Sequence, residues 1–156
     1  MRRTGLTILG IMAVITGCGG GAQLLAGPDL LTYTASSQVT SSNPMRFSST
    51  VTVTNSTTES ISFVPVCPIP RTLVYSNSAR TGTPLWDSNS RIPAINCATP
   101  TAVTLGAGKS VTYTLTATGA EALGPSGTAG TYYLLNEVTL DGVSTQIVAG
   151  QLNLAR

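Results

Sequence analysis

Residues 111–118 read VTYTLTAT, with a threonine at every second position and an apolar residue at each position between. Successive side chains of a β-strand point to opposite faces of a sheet, so this stretch predicts a strand with one buried face and one wet, hydroxyl-bearing face. Residues 47–54 (FSSTVTVT) show a similar alternation. The two stretches together predict an antiparallel sheet that is covered on one side only.

Further strands are predicted on both sides of this stretch. Gly106 to Gly108 predict a turn into it, and Asp141-Gly142 between two apolar segments is a strong hairpin signal. Segments 61–63, 69–75, 84–87, 103–105, 132–140 and 146–154 are the other strand candidates, and a helix is expected only near Gly119 to Leu123. The result is an all-β chain, an antiparallel β-sandwich of about eight strands.

The composition supports a β-sandwich and indicates a surface that is poor in charges and rich in hydroxyl groups. Charged residues make up 9% of the chain, while Thr and Ser number 25 and 16. Hydroxyl groups therefore take the place of charges on the surface, and Thr suits a pleated, half-buried sheet. At 156 residues the chain has room for one domain, which we place at residues 30–156.

The net charge argues against a nucleic-acid partner. Arg2 and Arg3 lie in a segment that we expect to be removed, which leaves six positive and six negative residues from Cys18 onward. A neutral domain with scattered charges lacks the basic surface that nucleic-acid binding requires.

The first 17 residues predict an export signal. A basic start is followed by an apolar run from Leu6 to Ile15, which is shorter than a membrane-spanning helix. Residues 15–18 (ITGC) resemble the lipobox of bacterial lipoproteins. The resemblance implies cleavage before Cys18, lipid on that cysteine, and a protein held on a membrane, the outer one if the cell has two. Residues 18–29 are expected to be a flexible tether.

Cys67 and Cys97 form an even pair in a domain expected to be exported, which predicts a disulfide. The bridge would close a loop of about thirty residues, which in the chain-entropy model stabilises the folded state by about 3–4 kcal/mol. Metal ligation and a reactive thiol are the weaker alternatives, and the absence of histidine and of CxxC spacing argues against a metal. No metal or cofactor is predicted.

The order of several short segments is similar to that of a known family. They are residues 53–57 (VTNST), 73–75 (LVY), 84–87 (PLWD), 103–113 (VTLGAGKSVTY) and 123–132 (LGPSGTAGTY). In this order they resemble the BsuPI-type intracellular proteinase inhibitor domain. The resemblance covers about Leu31 to Leu154 and implies an immunoglobulin-like sandwich; it also makes protease inhibition an alternative function.

Enzymatic chemistry is not expected. Without histidine, triad and most acid–base arrangements lack a component, and Lys109 beside Ser110 in a turn is a poor catalytic pair. The carboxylates of Asp87, Glu121, Glu137 and Asp141 would matter only if the fold gathered them.

Three functions remain. The leading one is a non-enzymatic, membrane-anchored module of the cell envelope that binds another protein or has a structural role. The second is protease inhibition through the loops Ser76 to Pro84 or Ser88 to Asn96. The third is binding of cell-wall glycan by Trp86, Tyr75 and Asn89, although Trp86 is more often a core residue in such a sandwich.

Overall fold

The computed structural model describes Leu24–Leu25 and residues 30–91 and 101–156. The strands are β1 Leu24–Leu25, β2 Leu31–Ser42, β3 Met45–Asn55, β4 Ile61–Phe63, β5 Pro65–Tyr75, β6 Trp86–Asp87, β7 Val103–Leu105, β8 Ser110–Thr118, β9 Gly130–Leu140 and β10 Val143–Leu154. One short helix, α1, spans Gly119–Leu123, and a 3₁₀ turn spans Ser88–Arg91. In this described part of the chain, no helix is long and apolar enough to cross a membrane.

The strands form an antiparallel sandwich with a third, smaller sheet. We call the sheet with order β2-β3-β8 the hydroxyl sheet, the sheet with order β10-β9-β5-β6 the cavity sheet, and the sheet with order β1-β4-β7 the cap sheet. The first two have the strand arrangement of an immunoglobulin-like sandwich, with its A, B and E strands facing G, F and C. The predicted all-β fold is therefore confirmed. Eight of the described strands have three or more residues, and β1 and β6 have two each.

The hydroxyl sheet has the two chemically different faces that the sequence predicts. Phe47, Val51 and Val53 point inward and are completely buried. The opposite face is built of these residues: Thr32, Thr34, Ser36, Gln38, Ser48, Thr50, Thr52, Thr54, Ser110, Thr112, Thr114 and Thr116. Neighbouring hydroxyls hydrogen-bond across the strands, as between Thr54 and Ser110 at 2.8 Å. Apart from Arg46, which continues this face at the start of β3 opposite Thr118, the face is polar without carrying a charge.

The core has two parts, one toward each end of the sandwich. At what we call the helix end, Phe47, Trp86 and Leu134 pack with Ala122 of α1. The Phe47 and Trp86 rings meet edge to face, with centroids 6.1 Å apart. At the opposite end, which we call the cap end, the buried residues are Leu31, Val51, Val53, Ile61, Phe63, Leu105, Val138 and Leu140. The cap sheet supplies three of these residues and so closes that end of the core.

Polar side chains also cross the interior. The Asn136 Oδ1 atom on β9 accepts hydrogen bonds from Ser49 on β3, at 3.0 Å, and from Thr72 on β5, at 2.8 Å. All three residues are completely buried. Because β3 belongs to one sheet and β5 and β9 to the other, this network fixes how the sheets face each other.

Local signals explain the turns and α1. Asp141 and Gly142 have φ values of 49° and 81°, which match the type I′ hairpin predicted there. Helix α1 begins after Thr118, whose side chain accepts from the Glu121 N–H, while the Glu121 side chain accepts from the Thr118 N–H. This capping box stabilises a helix that would otherwise be too short to persist.

The structure contains two strands, β1 and β2, that the sequence did not predict. β2 was not predicted, because its inward positions include Ala35 and Ser37 and so its alternation is weak. Within the predicted tether, Leu24–Leu25 forms β1, which pairs in parallel with Ile61 and Ser62 of β4. The predicted signal segment 1–17 and Cys18 lie outside the described residues, so cleavage and lipidation remain predictions.

Candidate functional site

A bulge in β5 creates a concavity in the cavity sheet. Val66 pairs with Thr139 of β9, and the next paired residue, Arg71, lies opposite Glu137. Five steps along β5 thus correspond to two steps along β9. The intervening Cys67-Pro68-Ile69-Pro70 contains two prolines, which have no N–H to donate to the ladder. The extra residues leave the regular register, and a cavity opens between them and β9.

The cavity has a volume of about 160 Å³. Its lining consists of Val66, Cys67, Pro68, Arg71, Asn89, Glu137 and Thr139. Water in the liquid occupies about 30 Å³ per molecule, so the space is of the order of five waters, the size of one long side chain rather than of a polymer. Val66 and Pro68 make part of the wall apolar, and Glu137, Asn89 and Thr139 make the rest polar.

Arg71 organises the charges at this cavity. Its guanidinium donates to Asp87 through Nε–H at 3.0 Å and Nη2–H at 2.6 Å, and to Glu137 Oε1 through Nη1–H at 3.0 Å. The two-point contact with Asp87 is the geometry in which an Arg–carboxylate pair is strongest. The hydrogen bonds from Arg71 lower the pKa of Asp87, and the hydrogen bond to Asp87 raises the pKa of Arg71. The three side chains together carry a charge of −1.

The 3₁₀ turn after β6 holds the rim of the cavity. Asp87 Oδ1 accepts a hydrogen bond from the Asn89 N–H at 2.8 Å, and the Ser90 hydroxyl donates to the Asp87 carbonyl at 2.7 Å. Ser88 is completely buried, and its hydroxyl accepts from the Thr72 N–H at 2.8 Å. Asn89 is thereby placed at the cavity by backbone contacts and leaves its own side chain exposed.

The chemistry that the cavity offers is that of a hydrogen-bond acceptor beside an apolar wall. Glu137 Oε1 is occupied by Arg71, whereas its Oε2 atom has, among the described residues, only a long contact, 3.4 Å, with Gln146 Nε2. A ligand group with an apolar stem and a cationic or amide head matches these surroundings, because the stem would pack on Val66 and Pro68.

A loop lies over the same sheet, toward the helix end. Arg80, whose φ is 54°, donates through Nε–H to the Leu134 carbonyl and through Nη2–H to the Gly150 carbonyl, both at 3.0 Å. Its guanidinium also lies over the Tyr133 ring, 5.6 Å from the centroid. The β5–β6 loop is therefore attached to the sheet at its middle residue.

The structure separates the residues of the predicted glycan platform. Trp86 is only 8% exposed and lies in the core, which confirms its assignment as a core residue. It pairs with Val74, so the neighbouring Tyr75 points to the opposite face of the sheet, where it is also buried. Of the three residues proposed for stacking and hydrogen bonding to a sugar, only Asn89 is exposed.

The other predicted site residues are placed in different parts of the fold. Cys67 lines the cavity, whereas its predicted disulfide partner Cys97 lies outside the described residues, so the bridge remains a prediction. Of the two candidate inhibitory loops, 76–84 is described and is held by Arg80, and 88–96 is described only to Arg91. Lys109 and Ser110 are exposed at the start of β8.

The carboxylates weighed for a joint site are only partly brought together. Asp87 and Glu137 meet at Arg71, whereas Glu121 caps α1 and Asp141 accepts a hydrogen bond from the Val64 N–H in the hairpin turn. Among the described residues, no group of three or more His, Cys, Asp or Glu side chains is arranged to hold a metal ion.

Comparison with known proteins identifies no relative by sequence. No family model matches the chain, and no curated protein is similar to it. A structural genomics target, SoR45, has 12% identity and a TM-score of 0.37, over 82% of this chain and 88% of that one. A protein of Bordetella pertussis, provisionally described as ApaA, has 13% identity and a TM-score of 0.36, over 80% and 92% of the two chains. Neither likeness carries an argument about function.

Proposed function

We propose that this protein is an exported, lipid-anchored and non-enzymatic component of the bacterial cell envelope, and that it binds another protein through the cavity sheet. The export signal and the lipobox-like residues 15–18 support the anchor. The observation that carries the binding function is the cavity beside Glu137, whose Oε2 atom makes only the long contact with Gln146 within the described part of the chain.

The partner in this proposal inserts a lysine or arginine side chain into the cavity. The cavity accommodates one side chain, its three charged residues carry −1 in total, and its wall combines apolar atoms with a carboxylate. A basic side chain satisfies all three conditions, since its carbon stem can pack on Val66 while its head donates to Glu137.

Two substitutions test the site. Asn89→Trp places a large ring at the exposed rim, and Glu137→Gln removes the negative acceptor. Thr112→Trp on the hydroxyl sheet and Glu59→Gln in the turn after β3 are matched controls, because they make the same chemical changes at exposed positions elsewhere. Each tagged full-length variant is expressed in the source bacterium, cross-linked in the cell and purified from membranes, and the cross-linked proteins are identified by mass spectrometry.

The expected result is one protein that is captured by the parent and both controls, and whose capture falls about tenfold or more in the two cavity variants, a loss typical of a contact worth 1.4 kcal/mol. Equal capture by all variants would exclude the cavity as the binding site. If the parent captures no protein above background, the binding function itself is wrong. A captured protease would favour the inhibitory alternative.

A further inference from the structure

The position of β1 determines which end of the domain the predicted anchor can reach. Leu24 pairs with Ile61 of the cap sheet, so the described residue that lies nearest to Cys18 along the chain is at the cap end. Leu24 is six steps along the chain from Cys18, and a fully extended chain spans at most about 3.6 Å per residue. The lipid-bearing cysteine therefore lies within about 22 Å of the cap sheet.

The cap end also bears exposed apolar side chains. Val64 follows directly after β4, and its backbone exchanges hydrogen bonds with Asp141, from the Asp141 N–H at 2.9 Å and to Asp141 Oδ1 at 2.8 Å. Val143 lies two residues further along the same hairpin. The two valines are 36% and 49% exposed. Val64 thus joins the β9–β10 hairpin to β4, the strand with which β1 pairs.

We infer that the cap end rests on the lipid surface, with Val64 and Val143 in contact with the headgroup region. This inference depends on the lipid anchor of the proposed function. The tether is too short for the helix end to take that place in an upright domain, because β3 and β9 each have 11 residues, or about 36 Å at 3.3 Å per residue. The cavity then opens on the side of the domain, where a neighbouring envelope protein can reach it.

Quenching of tryptophan fluorescence by brominated lipids tests the contact. Three full-length, lipid-bearing proteins are each reconstituted into phosphatidylcholine vesicles with brominated acyl chains. They are the parent, the Val143→Trp variant and the Val148→Trp variant. Val148 is a matched control: it is 56% exposed, on the same strand, and about 16 Å further from the cap end. The parental Trp86 is buried at the helix end and provides the background signal.

We expect the brominated lipid to quench the fluorescence of the introduced tryptophan at least about twofold more in Val143→Trp than in Val148→Trp. A Val64→Trp variant should behave like Val143→Trp. Equal quenching at the two β10 positions, or stronger quenching of Val148→Trp, would overturn the inference while leaving the anchor intact. The intact mass is measured first, because a protein without acyl groups would overturn both the anchor and the contact.

Discussion

Arg71 is the side chain on which the geometry of the cavity most depends. Its guanidinium has 34% exposure and joins Asp87 to Glu137, which have 26% and 17%. Arg71→Met keeps most of the stem and leaves two half-buried carboxylates next to each other without a cation. Because the site is partly hydrated, we expect a loss of about 1–2 kcal/mol in the free energy of unfolding, less than for a fully buried pair.

Urea unfolding at neutral pH measures this loss. Arg46→Met is the control, because Arg46 is exposed on β3 and the substitution removes the same charge. A loss no larger than that of the control would show that the ion pairs do not stabilise the fold.

The same ion pair predicts a dependence on pH. The pKa of Asp87 is lowered in the folded protein, so its contribution is present above the ordinary pKa of about 3.8 and is lost as the pH falls through the folded value. The stability difference between the parent and Arg71→Met should therefore shrink below about pH 4.

The sequence gives little information about such pairs. Arg71 and Glu137 are 66 positions apart, and only the pairing of β5 with β9, shifted by the proline bulge, brings them together. One sequence feature did suggest that Arg71 and Glu137 matter: charged residues are rare in this chain, and both of these lie inside predicted strands. The buried Asn136 network had no sequence signal, because Asn136 looks like any polar residue in an alternating strand.

At the scale of elements, α1 depends on a close approach of its first residue to the C-terminal segment. Gly119 is buried, and a Cβ atom there would overlap the Ala155 carbonyl oxygen and press on Met45. Backbone atoms cannot move aside as a flexible side chain can. We therefore expect Gly119→Ala to destabilise the fold by about 2 kcal/mol or more.

Gly106→Ala is the control, since a Cβ atom there would have only an ordinary contact, 3.7 Å, with the Lys109 side chain. Thermal unfolding of both variants compares them. If both have the same midpoint temperature, α1 does not pack against the C-terminal segment as described.

The elements that the sequence predicted well are those whose signals are local. The β9–β10 hairpin follows from Asp141-Gly142, and β8 follows from its alternation of threonine and apolar residues. β4 and β7 of the cap sheet match the predicted segments 61–63 and 103–105, whereas β1 and β2 were not predicted. The alternation of β2 is weak, and β1 has only two residues, which pair with a strand distant in sequence.

For the whole molecule, the decisive quantity is the mass of the protein purified from its native membrane. We expect residues 18–156 plus acyl groups, and a gain of two hydrogen atoms on reduction when Cys67 and Cys97 are bridged. Mass spectrometry before and after reduction, with alkylation of free thiols, makes the measurement. Retention of residues 1–17 would exclude the export signal, and free thiols at both cysteines would exclude the disulfide.

The outer face of the hydroxyl sheet has a consequence for the proposed location of this protein outside the cytoplasm. A bacterium regulates the acidity and salt of its cytoplasm, but not those of its surroundings. The threonines and serines of this face do not titrate, and many of them already hydrogen-bond to one another across the strands. Since ions screen only interactions between charges, the part of this face that is built of threonine and serine has the same chemical character in fresh water, brine or weak acid.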